Sequence, residues 1–127
     1  MKHIKSKKIF ESEVYYTIKD ICLELEDKGY NLWYWNPSVD GSRLPWAKDN
    51  SCEVNISKFT RGGVSTFKYS DVKEVVDRLK EYLGSNLVSM SIRRYGDYVW
   101  TDINNLYSKT YDNVIGVKLI YKDDKEI

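Results

Sequence analysis

Cys52-Glu53-Val54-Asn55-Ile56-Ser57 alternates apolar and polar side chains without a break, and the same two-residue period returns over Leu87–Arg94 and Val114–Tyr121. That period puts one set of side chains on each face of a pleated strand, so the chain must build a sheet with one buried and one wet face. Only two stretches carry the helical period that a covering layer needs. Ser12–Lys28 lines Val14, Ile18, Ile21, Cys22 and Leu25 along one face, with Ser12 as cap and Gly29 as terminator. A second helix starts at Ser70 or Asp71 and runs to Leu83, with Val72, Val75, Val76, Leu79 and Leu83 on one face and Gly84 beyond its end.

Asn31-Leu32-Trp33-Tyr34-Trp35 reads as a strand, rich in aromatic residues and stopped by Asn36-Pro37. Thr60-Arg61-Gly62-Gly63 is a hairpin turn from the 52–57 strand into Val64–Tyr69, and Phe59, out of parity, points to a bulge. Tyr95-Gly96-Asp97 returns Leu87–Arg94, whose Val88, Met90 and Ile92 face one way, into Tyr98–Ile103. In the last strand Ile115, Val117, Leu119 and Tyr121 share a face. The order is αβββ-αβββ, a topological repeat whose residues do not align. It predicts an α+β fold with two helices packed on antiparallel sheet.

All 127 residues are expected in a single domain, with residues 1–10 a flexible basic arm, 36–51 a long loop and 122–127 a charged tail. The net charge of +1 gives the whole molecule no field that would gather nucleic acid or anionic membrane. No apolar run approaches the length of a bilayer span, and the lysine-rich start lacks the apolar stretch of a signal peptide. A cytoplasmic location is therefore expected, with Cys22 and Cys52 as free thiols on the apolar side of their elements. A single alanine, no glutamine and abundant Lys, Asn, Ile and Tyr are what an AT-rich coding sequence yields, which fits a low-GC bacterium, a phage or a mobile element.

His3 is the only histidine, and it sits in the lysine-rich start, so the usual general base and zinc ligand are missing from the rest of the chain. The cysteines have neither CxxC spacing nor a neighbouring histidine. Arg61-Gly62-Gly63 lies in a hairpin and does not open a helix, as a phosphate-cradling loop would. Asp40, Asp49, Glu53, Asp97 and Asp102 lie in or beside loops and could meet on Mg²⁺, but their spacing does not force it, and no metal, cofactor or catalytic residue is assigned. A histidine-free ribonuclease built on Arg93, Arg94, Tyr95 and Tyr98 would need a bulge, because adjacent strand residues point to opposite faces.

Four tryptophans and eleven tyrosines are the most unusual feature. Trp33, Tyr34, Trp35 and Trp46 cluster around the long loop. One reading buries this cluster as core, with Leu32 and Tyr34 on one face and Trp33 and Trp35 on the other. A second exposes Trp33, Trp35, Arg43, Trp46 and Arg61 as a protein-binding surface, since Trp, Tyr and Arg dominate interface energetics. A third stacks nucleobases on Trp33 and Trp35 with help from Lys48, Lys58, Arg61 and Lys68, against repulsion from Asp40, Asp49 and Glu53. The reading adopted is a non-enzymatic protein-binding domain, an accessory or inhibitor protein whose partner is another protein. The alternatives are a single-stranded nucleic-acid binder and a small metal-dependent or histidine-free nuclease. Open sheet edges leave room for a homodimer.

Overall fold

The structure is a computed structural model and describes the backbone of residues 2–37, 51–102 and 112–122 and the side chains of 13–37, 51–102 and 112–122. Helix α1 spans Lys2–Asp27 and so takes in the lysine-rich segment that the sequence assigns to an arm. Nothing in that segment breaks a helix, and lysine is a good helix former, so Ser12 is an interior residue and not a cap. The C-terminus is closed as expected. Gly29 adopts φ +94°, its N–H donates to Glu26, and Tyr30 N–H donates to Leu25, the paired bonds of a Schellman motif.

Strands β1 (Asn31–Trp35) and β2 (Ser51–Ser57) pair antiparallel in unbroken register, Trp33 opposite Asn55 and Tyr34 opposite Val54. Phe59 is out of parity because β2 ends before it. Phe59–Thr60 (β3) and Gly63–Val64 (β4) form a separate two-residue hairpin turning through Arg61 and Gly62, and Gly63 takes the positive φ. The strand expected over Val64–Tyr69 is therefore short. The chain leaves the hairpin to set a single bridge, Phe67 to Val114, and then makes a 3₁₀ turn at Tyr69–Asp71. Helix α2 (Lys73–Leu83) follows, with Val75, Val76, Leu79 and Leu83 buried. A 3₁₀ turn at Gly84–Asn86 leads into β5 (Leu87–Arg94); β6 is only Thr101–Asp102, and β7 spans Val114–Lys122.

The main sheet is antiparallel in the order β1-β2-β7-β5-β6. The element pattern is thus αββββ-αβββ, with five strands in one sheet and the small hairpin outside it, in place of two matching αβββ halves. Both helices cover one face. Their Ile18, Cys22, Leu25, Val75, Val76 and Leu79 meet Cys52, Val54, Ile56, Met90, Ile92, Val117, Leu119 and Tyr121 in one core. Two register shifts move residues that simple alternation would bury. Val88 is the extra residue between the Leu87 and Ser89 pairs and lies exposed; Ile115 is extra between the pairs of Arg93 and Arg94, and Val114 takes its place in the core. Cys22 and Cys52 are both buried, and no helix among the described residues is long and apolar enough to cross a membrane.

Candidate functional site

The face of the sheet away from the helices is read directly from the register. One row runs Trp33, Asn55, Lys118, Ser91, Asp102; the next runs Trp35, Glu53, Ile120, Ser89. Leu32 and Tyr34 point the other way and pack against the core. Trp33 keeps 46% of its surface exposed, while Trp35 is half-buried and its Nε1 is buried with no acceptor among the described residues. Asn55 Nδ2 donates to Glu53 Oε2 at 3.2 Å. Across the sheet, the Trp100 ring lies on Gly116, so close that a Cβ there would come within 2.8 Å of it, and the Lys118 ammonium sits 4.5 Å from the ring centroid. Gly116 is the one position in β7 where the backbone must be bare to seat a ring.

Trp100 is the foot of a loop that presents the most exposed apolar side chains described. Tyr98 is 94% exposed, Tyr95 76% and Val99 69%. The start of the loop, from Arg94 to Asp97, is tied down. Tyr95 N–H donates to Asn113 O at 2.8 Å, Asp97 N–H to Arg94 O at 2.9 Å, and Arg94 N–H to Asp97 Oδ2 at 3.2 Å. Arg93 Nε donates to Asp97 O at 2.9 Å, and Arg94 Nε lies 3.6 Å from Asp97 Oδ2. The register shift here lies on β7, where Ile115 is the extra residue, so Arg93, paired with Gly116, and Arg94, paired with Val114, still face opposite ways, although both guanidinium groups reach the Asp97 turn.

The β3–β4 hairpin leaves the same end of the sheet. It continues the β2 lane, the loop continues the β5 lane, and β7 lies between them, which separates the two by about 10 Å. Phe59 and Val64 face each other across the hairpin and are both exposed, with Arg61 at its tip. The stem is closed by Ser65 N–H to Lys58 O at 2.7 Å, by Phe59 N–H to Asn31 Oδ1 at 3.2 Å and by the Lys58 ammonium 4.8 Å from the Tyr30 ring. A cleft of about 570 Å³ opens beside it, lined by Thr66, Phe67, Lys68, Asp71, Asp112 and Asn113.

Of the expected binding residues, Arg61 lies at this end of the sheet, whereas Trp33 and Trp35 lie on the helix-free face, Trp35 toward the opposite end. Arg43 and Trp46 lie outside the described residues, as do Asp40 and Asp49. Sequence reasoning missed Phe59, Val64 and Val99 as surface residues. Their signal was apolar side chains flanking tight turns, where no neighbouring strand is left to cover them. Among the described residues no group of three His, Cys, Asp or Glu side chains is placed to hold a metal. Burial pushes the Cys22 thiol up to about 12, and burial likewise raises Tyr34, whose hydroxyl donates to Glu26 Oε2 at 2.8 Å. Compared with known proteins, the chain matches no family model, no curated protein and no solved structure.

Proposed function

We propose that this chain is a non-enzymatic binding domain, an accessory or inhibitor protein that acts by occupying the surface of a partner protein through one end of its sheet. The observation that supports this reading is the exposure of Tyr95, Tyr98 and Val99, on a loop whose Tyr95 and Asp97 amides are hydrogen-bonded, at the same end of the sheet as Phe59, Arg61 and Val64. Large apolar groups held in water on an anchored backbone gain by burial against another surface and lose little entropy in doing so. Aliphatic Val64 and Val99 favour a protein over a nucleic acid, because a nucleobase gains by stacking on a ring and not on a methyl group. Trp33 and Trp35 lie on the helix-free face, with Trp35 toward the other end of the sheet; Arg43 and Trp46 stay in the proposal as contact residues to be tested separately.

The test is affinity capture and crosslinking with the wild type and with the Tyr95→Ala/Tyr98→Ala variant. We expect a specific protein with the wild type and at least a tenfold weaker affinity in the variant, about 1.4 kcal/mol or more. Equal affinity for the two would overturn the site. Arg43→Ala/Trp46→Ala tests those two residues in the same assay.

The row Trp33, Asn55, Lys118 on the helix-free face favours a second reading, a platform for single-stranded nucleic acid. A labelled oligothymidylate titrated at several salt concentrations separates the two. Binding that falls steeply with salt supports the platform; no binding to the oligonucleotide removes it.

A further inference from the structure

The two edges of the sheet are built differently. At the β5 edge, β6 pairs with Ser91 and Ile92 and Val88 bulges out, two devices that keep a strand from recruiting another. The β1 edge has neither. Asn31–Trp35 pairs with β2 over five successive residues without a shift, carries no charge and no proline, and has no strand on its outer side among the described residues. It is flanked by apolar surface on both faces. Below it is exposed Trp33; above it, on the outer side of α1, is Leu23, more than half exposed. The side of α1 that overhangs β1 is fixed by contacts: Glu26 accepts from Tyr34, Lys19 Nζ stands 5.5 Å from the Tyr34 ring and 5.3 Å from that of Tyr15, and Tyr15 packs edge-on to Tyr34.

We infer that the β1 edge is a homodimer interface, in which β1 of a second copy pairs antiparallel with β1 and joins the two sheets into one. An isologous interface must be self-complementary. A two-fold axis at Trp33 sets this residue against its own counterpart, Leu32 against Tyr34 and Asn31 against Trp35. No like charges meet, because the strand has none. In the helix layer the same axis runs the two α1 helices antiparallel. Lys19 and Glu26, about two turns apart on the overhanging side, then exchange partners: Lys19 of each copy faces Glu26 of the other, with Leu23 near the axis. This reciprocal charge pairing selects a second copy over an extended segment of an unrelated protein, and it does not rest on the binding role of the sheet end.

Sedimentation equilibrium from low-micromolar to sub-millimolar protein tests the inference. The expected mass is twice the 15.0 kDa of the chain. Leu23→Lys and Trp33→Lys, both on exposed positions, are each expected to weaken dimerisation at least tenfold. Lys19→Glu weakens it and Lys19→Glu/Glu26→Lys restores it. A monomer mass throughout the range overturns the inference, as does a dimer that all these variants leave unchanged. Should a variant fail to fold by circular dichroism, hydrogen exchange of the wild type decides: amides of residues 31–35 become more protected as concentration rises if the edge is the interface, and concentration-independent exchange there refutes it.

Discussion

Gly116 and Trp100 make the sharpest single-residue prediction. A methyl group at 116 would meet the Trp100 ring at 2.8 Å, so Gly116→Ala must expel the ring or bend β7. We expect a loss of about 1–3 kcal/mol in denaturant unfolding and a red shift of tryptophan emission. Cys22 carries a pH prediction. Its unfolded thiol ionises from 9.0, whereas the folded one keeps its proton to about 12, so stability is full below pH 9 and falls by about 1.4 kcal/mol per pH unit between those values. Tyr34 and Tyr69, also raised chiefly by burial, act in the same direction. Unfolding titrations from pH 8 to 11 measure the slope, and a disulfide reagent should leave Cys22 and Cys52 untouched until the chain unfolds. The facing of Leu32, Trp33, Tyr34 and Trp35 was legible from a two-residue period alone. Val88 and Ile115 were not, since a bulge is decided by the partner strand and leaves no mark in its own sequence.

At the scale of elements, the loop after β5 depends on Asp97, which receives Arg94 N–H and binds both arginine side chains. Asp97→Ala should leave the fold intact, because the ion pair is at the surface, yet speed hydrogen exchange at Arg94 and Asp97 severalfold. In α2, Leu79 is fully buried, and Leu79→Ala should cost about 2–5 kcal/mol. Strands β1 and β5 and the end of α2 coincide with their expected bounds because strong periodicity and a terminating Pro or Gly mark them locally. The segment after the hairpin was read too long. Thr66 to Tyr69 has the composition of a strand, but it joins the sheet through the single bridge of Phe67 to Val114, since β2 already occupies the neighbouring lane along the rest of β7.

For the whole molecule, one helical layer on one antiparallel sheet followed from strands outnumbering helices, and the strand order did not, since nothing local records that the last strand lies between β2 and β5. The candidate surface was half legible. Arg61 and the Trp33–Trp35 pair were singled out for their residue types, whereas the hairpin and the Tyr95–Val99 loop share one end of the sheet only because three lanes end there. Placing β7 centrally also governs how the chain can be made. A ribosome emits β1 and β2, then α2 and β5, but the strand that hydrogen-bonds to both pieces arrives last. Until Val114–Lys122 has cleared the exit tunnel, the nascent chain holds two unjoined half-sheets with bare inner edges, so the fold completes only after nearly all of this sequence has been synthesised.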